Sequence, residues 1–356
     1  MTDILLIGGG VAGLSAAAAL SGSANVTVLE AETSIGYHAS GRSAALIEQN
    51  YGAPSVQALN RASVETLAQG GYLSPRGLMI VAQAHEREAY ESDIATLGTT
   101  PISLAEARDF VPVLDPAKLA FAAYHADAQD IDTDRMLQDF ARTLRQNGGA
   151  VETGCRVESI RFDQGMWTVR CGDKSFHAAT LINAAGAWAD QVAGMAGIAP
   201  LGIVPHRRSM ARIPAPGGHE VRHWPMFFGV GESWYAKPDA GFLLVSPADE
   251  DPVEPHDAWA EDMTLAQGLA LYEEMVTEPV TRLQSSWAGL RSFAPDRTLV
   301  LGCDTMQPAF VWCAGQGGYG FQTAPAAAQL LADEVLGRPT ALDPEIVAAL
   351  SPRRFQ

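Results

Sequence analysis

The chain has 356 residues, with 41 Asp and Glu against 24 Lys and Arg, a formal net charge of −17 and 47% hydrophobic residues. That length buries a large core and favours two domains. The acidic balance argues against nucleic acid or an anionic membrane as main partner, while arginines gathered in one site still admit an anionic substrate.

In chain order, Ile4–Ile7 is a continuous apolar run of strand length, as a strand buried on both faces would be. Gly8, Gly10 and Gly13 then form G-x-G-x-x-G, and Leu14–Leu20 continues as an alanine-rich helix. The glycines split this apolar stretch into pieces too short to cross a bilayer, so no transmembrane segment is expected. The start, Met1-Thr2-Asp3, lacks the basic flank of a secretion signal. Glycines at this spacing allow a tight turn, close approach to a pyrophosphate and close helix–strand packing. The helix N-terminus adds free N–H groups and a positive dipole. A second strand, Val26–Leu29, ends in Glu30, an acid placed to accept the ribose hydroxyls of an adenosine. This unit implies an adenine dinucleotide and does not separate NAD from FAD.

The loop "TSIGYHASGRSAALIEQNYG" (33–52) is rich in glycine and serine, able to bond phosphate and ring edges, but taken alone it reads as an ordinary helix start with Ser40 as N-cap. Helical patterns follow at Pro54–Ala68, His85–Leu97 and Leu104–Asp109, the last with Ser103 and Glu106 in capping-box spacing. "GLMIVAQ" (77–83) reads as a strand. Asp132 or Thr133 caps a helix that stops at Gly148-Gly149, and a meander of short strands follows to Cys171. "ATLINAAGAWAD" (179–190) repeats the strand, small-residue turn and helix of the opening.

The middle third is rich in proline and aromatics, and "WYAKPDAGFLLVSP" reads as a hairpin turning at Pro238-Asp239-Ala240-Gly241. Leu265–Val276 reads as a helix. "RTLVLGC" and "AFVWCAGQGGYGFQTAPAAAQLLADEVLG" then supply a strand, another glycine-rich turn and a long helix. The four cysteines, Cys155, Cys171, Cys303 and Cys313, form no CxxC pair and no zinc spacing, so no metal site is expected. Reduced core thiols in a cytoplasmic protein are the simplest reading.

Together, GGGVAGLSAA with Glu30, HASGRSAALI, NAAGAWAD, WYAKPDAGFLLVSPADE, WAGLRSFAPDR and AGQGGYGFQTAP resemble the flavin-dependent D-amino acid oxidase family. Within it the chain looks most like the bacterial D-arginine and D-amino acid dehydrogenases. The resemblance spans nearly the whole chain, and it is what selects FAD over NAD.

It implies an α/β fold with a discontinuous Rossmann-like FAD-binding domain (1–73, 131–200 and 285–356). A substrate domain of antiparallel sheet plus helices (74–130 and 201–284) is inserted into it. Carried over, Gly8, Gly10 and Gly13 take the pyrophosphate with Val11 and Ala12 on the same turn. Glu30 takes the ribose with Ala31 beside it. Ser40, Arg42, Ser43 and Ala44 border the flavin, with Gly41 in the same loop. Val157 meets adenine, and Ala185, Gly186 and Trp188 line the cofactor. Gly315, Gly317, Gly318, Tyr319, Gly320 and Thr323 meet the flavin end, with Gln322 at the active-site edge. No cysteine stands where relatives attach flavin, which implies noncovalent FAD.

The implied reaction moves a hydride from the Cα of an amino acid to flavin N5 and leaves an imino acid, which hydrolyses to a keto acid. A bidentate guanidinium suits the α-carboxylate. Arg291 and Arg208 match the family arginines, with Arg207 as the neighbour to be distinguished from Arg208. Tyr51 and Tyr235 match two tyrosines at the substrate, and the Gly318 carbonyl matches an acceptor for the amine.

Three positions depart from the D-arginine dehydrogenase pattern. Leu78 stands where a carboxylate pairs the guanidinium, Leu46 where a histidine is expected, and Glu48 where a small hydroxyl residue is usual. With an apolar wall of Met226, Phe227 and Phe228, these point to a less basic substrate, an apolar or N-substituted amino acid. Glu48 is open between solvent, flavin, a structural hydrogen bond and a substrate amine. Three other readings stay open: a 2-hydroxy acid flavoenzyme, a flavin-binding accessory subunit of a larger dehydrogenase, and an NAD-dependent enzyme. The first needs a base, for which His38, His206 and His223 are the nearby histidines. The residues leave the acceptor open between oxygen and a quinone, the latter implying a site at the inner membrane's periphery.

Overall fold

The structure is a computed structural model describing residues 2–355. Ile4–Ile7 is buried along its length because it lies inside a six-stranded sheet, parallel to both Val26–Leu29 and Thr180–Asn183. Ala150–Glu152 extends the sheet on one side, and Phe310–Ala314 and Val300–Cys303 extend it on the other. The final pair alone is antiparallel. Helix Val11–Ser21 packs on Thr133–Gln146 and on Gly320–Val335. A Cβ on Gly13 would lie 1.9 Å from the Gly8 carbonyl oxygen, so only glycine lets that helix sit this close to its strand. This discontinuous Rossmann-like arrangement is the expected one.

A second, eight-stranded sheet forms the inserted part. Its order is Ser285–Phe293, Val204–Pro214, Phe242–Ser246, Tyr235–Asp239, Met226–Gly229, Leu78–Gln83, Leu119–His125 and Thr100–Ile102. The hairpin is tighter than the sequence implied. Pro238 and Asp239 pair within the strand, which leaves Ala240 and Gly241 as a two-residue loop with φ of 47° and 82°. Two consecutive positive φ values are what a type I′ turn requires.

The sequence boundaries shift. Ser285–Phe293, expected with the FAD-binding part, pairs with Val204–Pro214 along its whole length and lies in the inserted sheet. The boundaries at 73 and 131 cut through Leu73–Pro75 and Gln129–Ile131, which join Leu46–Ile47 in a small sheet between the two parts. Backbone pairing decides these edges, and local hydropathy does not record it.

Alternation of side chains across the strands gives the large sheet two distinct faces. The registers place Arg291, Arg208 and Met210, Tyr235 and Lys237, Met226 and Phe228, Leu78, and His125 on one face. Phe227 lies on the other face, in a core with Trp224, Trp234 and Tyr272, the last from helix Asp262–Glu273. It is therefore not part of the expected apolar wall. Among the described residues no helix is long and apolar enough to cross a membrane.

Candidate active site

A single cavity of about 360 Å³ runs between the two large sheets, from Glu30 and Val157 past Gly8 and Gly10 to Gly317, Arg291 and Tyr235. Its first half is shaped by close backbone approach. Gly8 has φ of +113°, and a Cβ there would lie 2.3 Å from the Ala184 carbonyl oxygen. The opening turn and the Ala184-Ala185-Gly186 turn are thus pressed together. Glu30 is buried at its strand end, with Oε2 accepting from the Gly9 N–H (2.7 Å) and Oε1 from the Glu32 N–H (2.8 Å). A carboxylate keeps further lone pairs after those bonds, enough for the hydroxyls of a ribose. Ser40 caps no helix of its own. It lies in a short 3₁₀ turn, Ala39–Arg42, and its Oγ accepts from the Val11 N–H at 2.9 Å, docking that turn on the dinucleotide helix. A glycine cradle, a buried acid and a helix N-terminus facing one elongated cavity fit an adenine dinucleotide.

Most of the expected cofactor residues line this cavity. Val11, Ala12 and Ala31 flank the cradle, Ser43 and Ala44 follow Arg42, and Val157 stands opposite. Ala185, Gly186 and Trp188 form one wall, and Gly318, Gly320 and Gln322 close the far end. Gly13, Gly41, Gly315, Tyr319 and Thr323 stand behind the lining. Gly41 donates its N–H to the Gly36 carbonyl (2.6 Å), and Thr323 Oγ1 donates to the Tyr319 carbonyl (2.8 Å). Arg42 lines the cavity but turns its guanidinium outward. Nη1 donates to the carbonyls of Ala258 (2.8 Å) and Ala288 (2.9 Å), and Nη2 pairs with Asp257.

At the other end, Arg291, Arg208, Tyr235 and Gly318 line the cavity together. A Cβ on Gly318 would lie 3.0 Å from Arg291 Cζ, so the glycine turn lets the guanidinium approach its backbone. Arg207 and Arg208 separate cleanly. Arg207 is on the opposite face and is caged by Asp249, Asp251 and Glu261. Arg208 is only 8% exposed and donates Nη2 to Glu250 at 2.9 Å. Its Nε and Nη1 are buried and meet no partner among the described residues. Buried charged donors without a partner are costly, and these belong to a side chain at the end of the cavity where Arg291 and Tyr235 also stand.

Tyr51 stands just behind the lining. Its hydroxyl donates to Glu232 Oε2 at 3.1 Å and its ring packs edge-on to Tyr319. Burial first, and Glu232 second, push the phenol well above its ordinary value, so it stays a donor. Leu46 and Met210 supply the apolar lining beside Tyr235, backed by Leu78, Met226 and Phe228. Glu48 does not line the cavity. Its Oε2 lies 2.8 Å from His125 Nε2, and Oε1 accepts from the Asn50 N–H at 2.9 Å. The Glu48 N–H donates to Gln322 Oε1 at 3.2 Å. The Glu48 carboxylate beside it outweighs burial and raises the His125 pKa. Of the alternatives for Glu48, the structure shows the structural one.

His125, Glu232, Glu250 and Arg297 were not singled out from sequence. Glu250 sits in the acidic run Asp249-Glu250-Asp251, which is the one local signal available and does not mark its arginine partners.

A family model described as FAD dependent oxidoreductase (DAO) matches residues 3–334. FAD-dependent oxidoreductase domain-containing protein 1 of Bos taurus is 23% identical, over 94% of this chain and 81% of its own length. Glycine oxidase from Geobacillus kaustophilus superposes with a TM-score of 0.83 at 22% identity, covering 98% of both chains. L-proline dehydrogenase from P. horikoshii gives 0.84 at 21% identity, covering 99% of this chain and 97% of that one. These likenesses show the shared fold, and the family match sets the cofactor class that the glycine cradle fits. The chain belongs to the DAO family of FAD-dependent oxidoreductases and is an enzyme that binds FAD.

Proposed function

We propose that the enzyme oxidises the Cα–N bond of an amino acid or N-substituted amino acid. The product is an imino acid that hydrolyses to a keto acid and ammonia or an amine. The observation that carries this reading is the pair Arg291 and Arg208 at one end of the dinucleotide cavity, with two buried nitrogens of Arg208 left without a partner. A carboxylate there is held by charge-assisted bonds, and the atoms attached to its α-carbon are then fixed in direction.

FAD, when bound, supplies the hydride acceptor. The chain's own residues do the rest. Arg291 and Arg208 bind and orient the carboxylate, and the Gly318 carbonyl accepts from the amine. Tyr51, held by Glu232, backs the substrate end, while Leu46 and Met210 exclude water from the C–H bond. Helix Gly320–Val335 begins at this end, where its N-terminal dipole favours developing negative charge.

The apolar lining supports a substrate side chain without positive charge. No acid stands at Leu78 or Leu46, and Glu48 is engaged by His125. This speaks against arginine as substrate and against the D-arginine dehydrogenase branch. Glycine oxidase and L-proline dehydrogenase share the fold, so both primary and secondary amines are reasonable substrates to test. The D configuration rests on the sequence resemblance alone. The hydroxy acid reading needs a base at the substrate end. Among the described residues His38 is the one histidine that lines the cavity, and Glu32 engages it at 3.2 Å. The acceptor is oxygen or a quinone. Four unpaired cysteines support a reducing, cytoplasmic setting.

The test is anaerobic flavin reduction with an amino acid deuterated at Cα. The reading expects a primary isotope effect on the reduction rate, with keto acid formed in proportion to reduced flavin.

A further inference from the structure

Arg208 and Arg291 lie on neighbouring strands of the large sheet, Arg208 opposite Gly289 and Arg291 opposite His206, and both face the cavity. Two guanidinium groups so placed repel each other and need an anion nearby. The protein provides one. Glu250 Oε1 accepts from Arg208 Nη2 at 2.9 Å and lies 3.8 Å from Arg291 Nη1, while its Oε2 accepts from Arg297 Nη2 at 2.7 Å. Glu250 does not line the cavity, so it stands behind the arginines and leaves the space in front of them open.

Glu250 is itself held from several sides. His206 Nδ1 donates to its carbonyl at 2.9 Å, and the flanking Asp249 and Asp251 are pinned by Arg207. Arg297 has φ of 59°, an uncommon conformation for a residue with a Cβ, and its guanidinium lies 3.9 Å above the Phe293 ring. Burial opposes ionisation of Glu250, but Arg297, Arg208 and Arg291 outweigh it and hold the carboxyl below its ordinary value. It therefore remains an anion.

We propose that Glu250, braced by Arg297, is a positioning residue that fixes Arg208 beside Arg291 at the end of the cavity that takes the substrate carboxylate. This rests on the amino acid reading for the identity of the substrate, but not for carboxylate binding itself. Neither Glu250 nor Arg297 touches the reacting atoms.

The test uses the FAD-loaded enzyme and two readouts. One is the dissociation constant of benzoate, a carboxylate without an amine, followed by perturbation of the flavin absorption. The other is KM against kcat for an amino acid substrate. Glu250→Gln is expected to raise both the benzoate constant and KM by about tenfold or more, in line with a lost charged hydrogen bond, with kcat changed far less. Arg297→Met, which keeps an apolar stem over Phe293, shifts both the same way but less. The double variant binds benzoate no more weakly than Glu250→Gln alone, because Arg297 acts through Glu250.

Tighter benzoate binding in Glu250→Gln would make Glu250 a competitor and overturn the proposal. Unchanged binding, additive effects, or wild-type enzyme that binds no benzoate would overturn it as well. Should Glu250→Gln fail to fold, Arg297→Met alone decides by the same shift. Benzoate binding that depends on Glu250 in an enzyme that no amino acid reduces would uphold this proposal and sink the amino acid reading.

Discussion

Arg207 and Arg208 are consecutive on one strand, yet Arg207 Nε lies 3.3 Å from Asp249 on one face of the sheet while Arg208 meets Glu250 at 2.9 Å on the other. The alternation of a strand assigns them opposite tasks. Arg208→Ala is expected to raise KM by about ten- to a hundredfold, the worth of a charged hydrogen bond to substrate, with little change in melting temperature. Arg207→Ala strands the buried Asp249 and is expected to cost about 3–5 kcal/mol of stability, with KM of the surviving enzyme nearly unchanged. Steady-state kinetics and thermal melts on the two variants check this division.

The Glu48–His125 pair makes stability depend on pH with a definite sign. Glu48 raises the His125 pKa in the folded chain, so the pair contributes fully below the ordinary histidine value of about 6.5. That contribution is lost as pH rises through the higher, folded value. Melting temperature of the wild type is expected to fall across this window more steeply than that of His125→Gln/Glu48→Gln. Parallel curves would show that the pair is inert.

Gly13 has no room for a side chain, since a Cβ would meet the Gly8 carbonyl oxygen at 1.9 Å, a backbone atom that cannot swing aside. Gly13→Ala is expected to destabilise the fold by about 1–3 kcal/mol, as overpacking does, and to yield protein that purifies with little flavin. The flavin-to-protein absorbance ratio and a urea melt read both effects.

Glu30 is buried between two backbone N–H groups. Glu30→Gln keeps its size but removes the charge that a ribose would meet. FAD affinity is expected to drop about tenfold or more, measured by titrating apoenzyme, while KM for substrate in the FAD-saturated variant stays put.

The dinucleotide half was readable because its signals are local. Ile4–Ile7, the glycine spacing and Glu30 lie within a few turns of chain, and the structure unites them at one end of the cavity. Arg291, Arg208 and the Gly317-Gly318 turn came from the family resemblance, and the structure gathers them at the other end. What sequence concealed are contacts across long separations. Tyr51 meets Glu232 across 181 positions, and Arg297 meets Glu250 across 47. Nothing in either local pattern marks the partner. The same holds for Phe227, whose turn away from the site follows from strand register and not from hydropathy. The thiols behave as local hydropathy suggested. Burial pushes Cys313 up to about 12, and burial together with Glu334 pushes Cys303 up to about 11, so neither is a ready thiolate.

The most direct test of the account is the visible spectrum of the purified, FAD-loaded enzyme, recorded without oxygen while pools of amino acids, N-alkyl amino acids and 2-hydroxy acids are added in turn. Bleaching of the flavin by an uncharged amino acid or N-alkyl amino acid, abolished or slowed in Arg291→Ala, is the predicted result. A flavin that only hydroxy acids bleach, or that none of the pools bleaches, would contradict it.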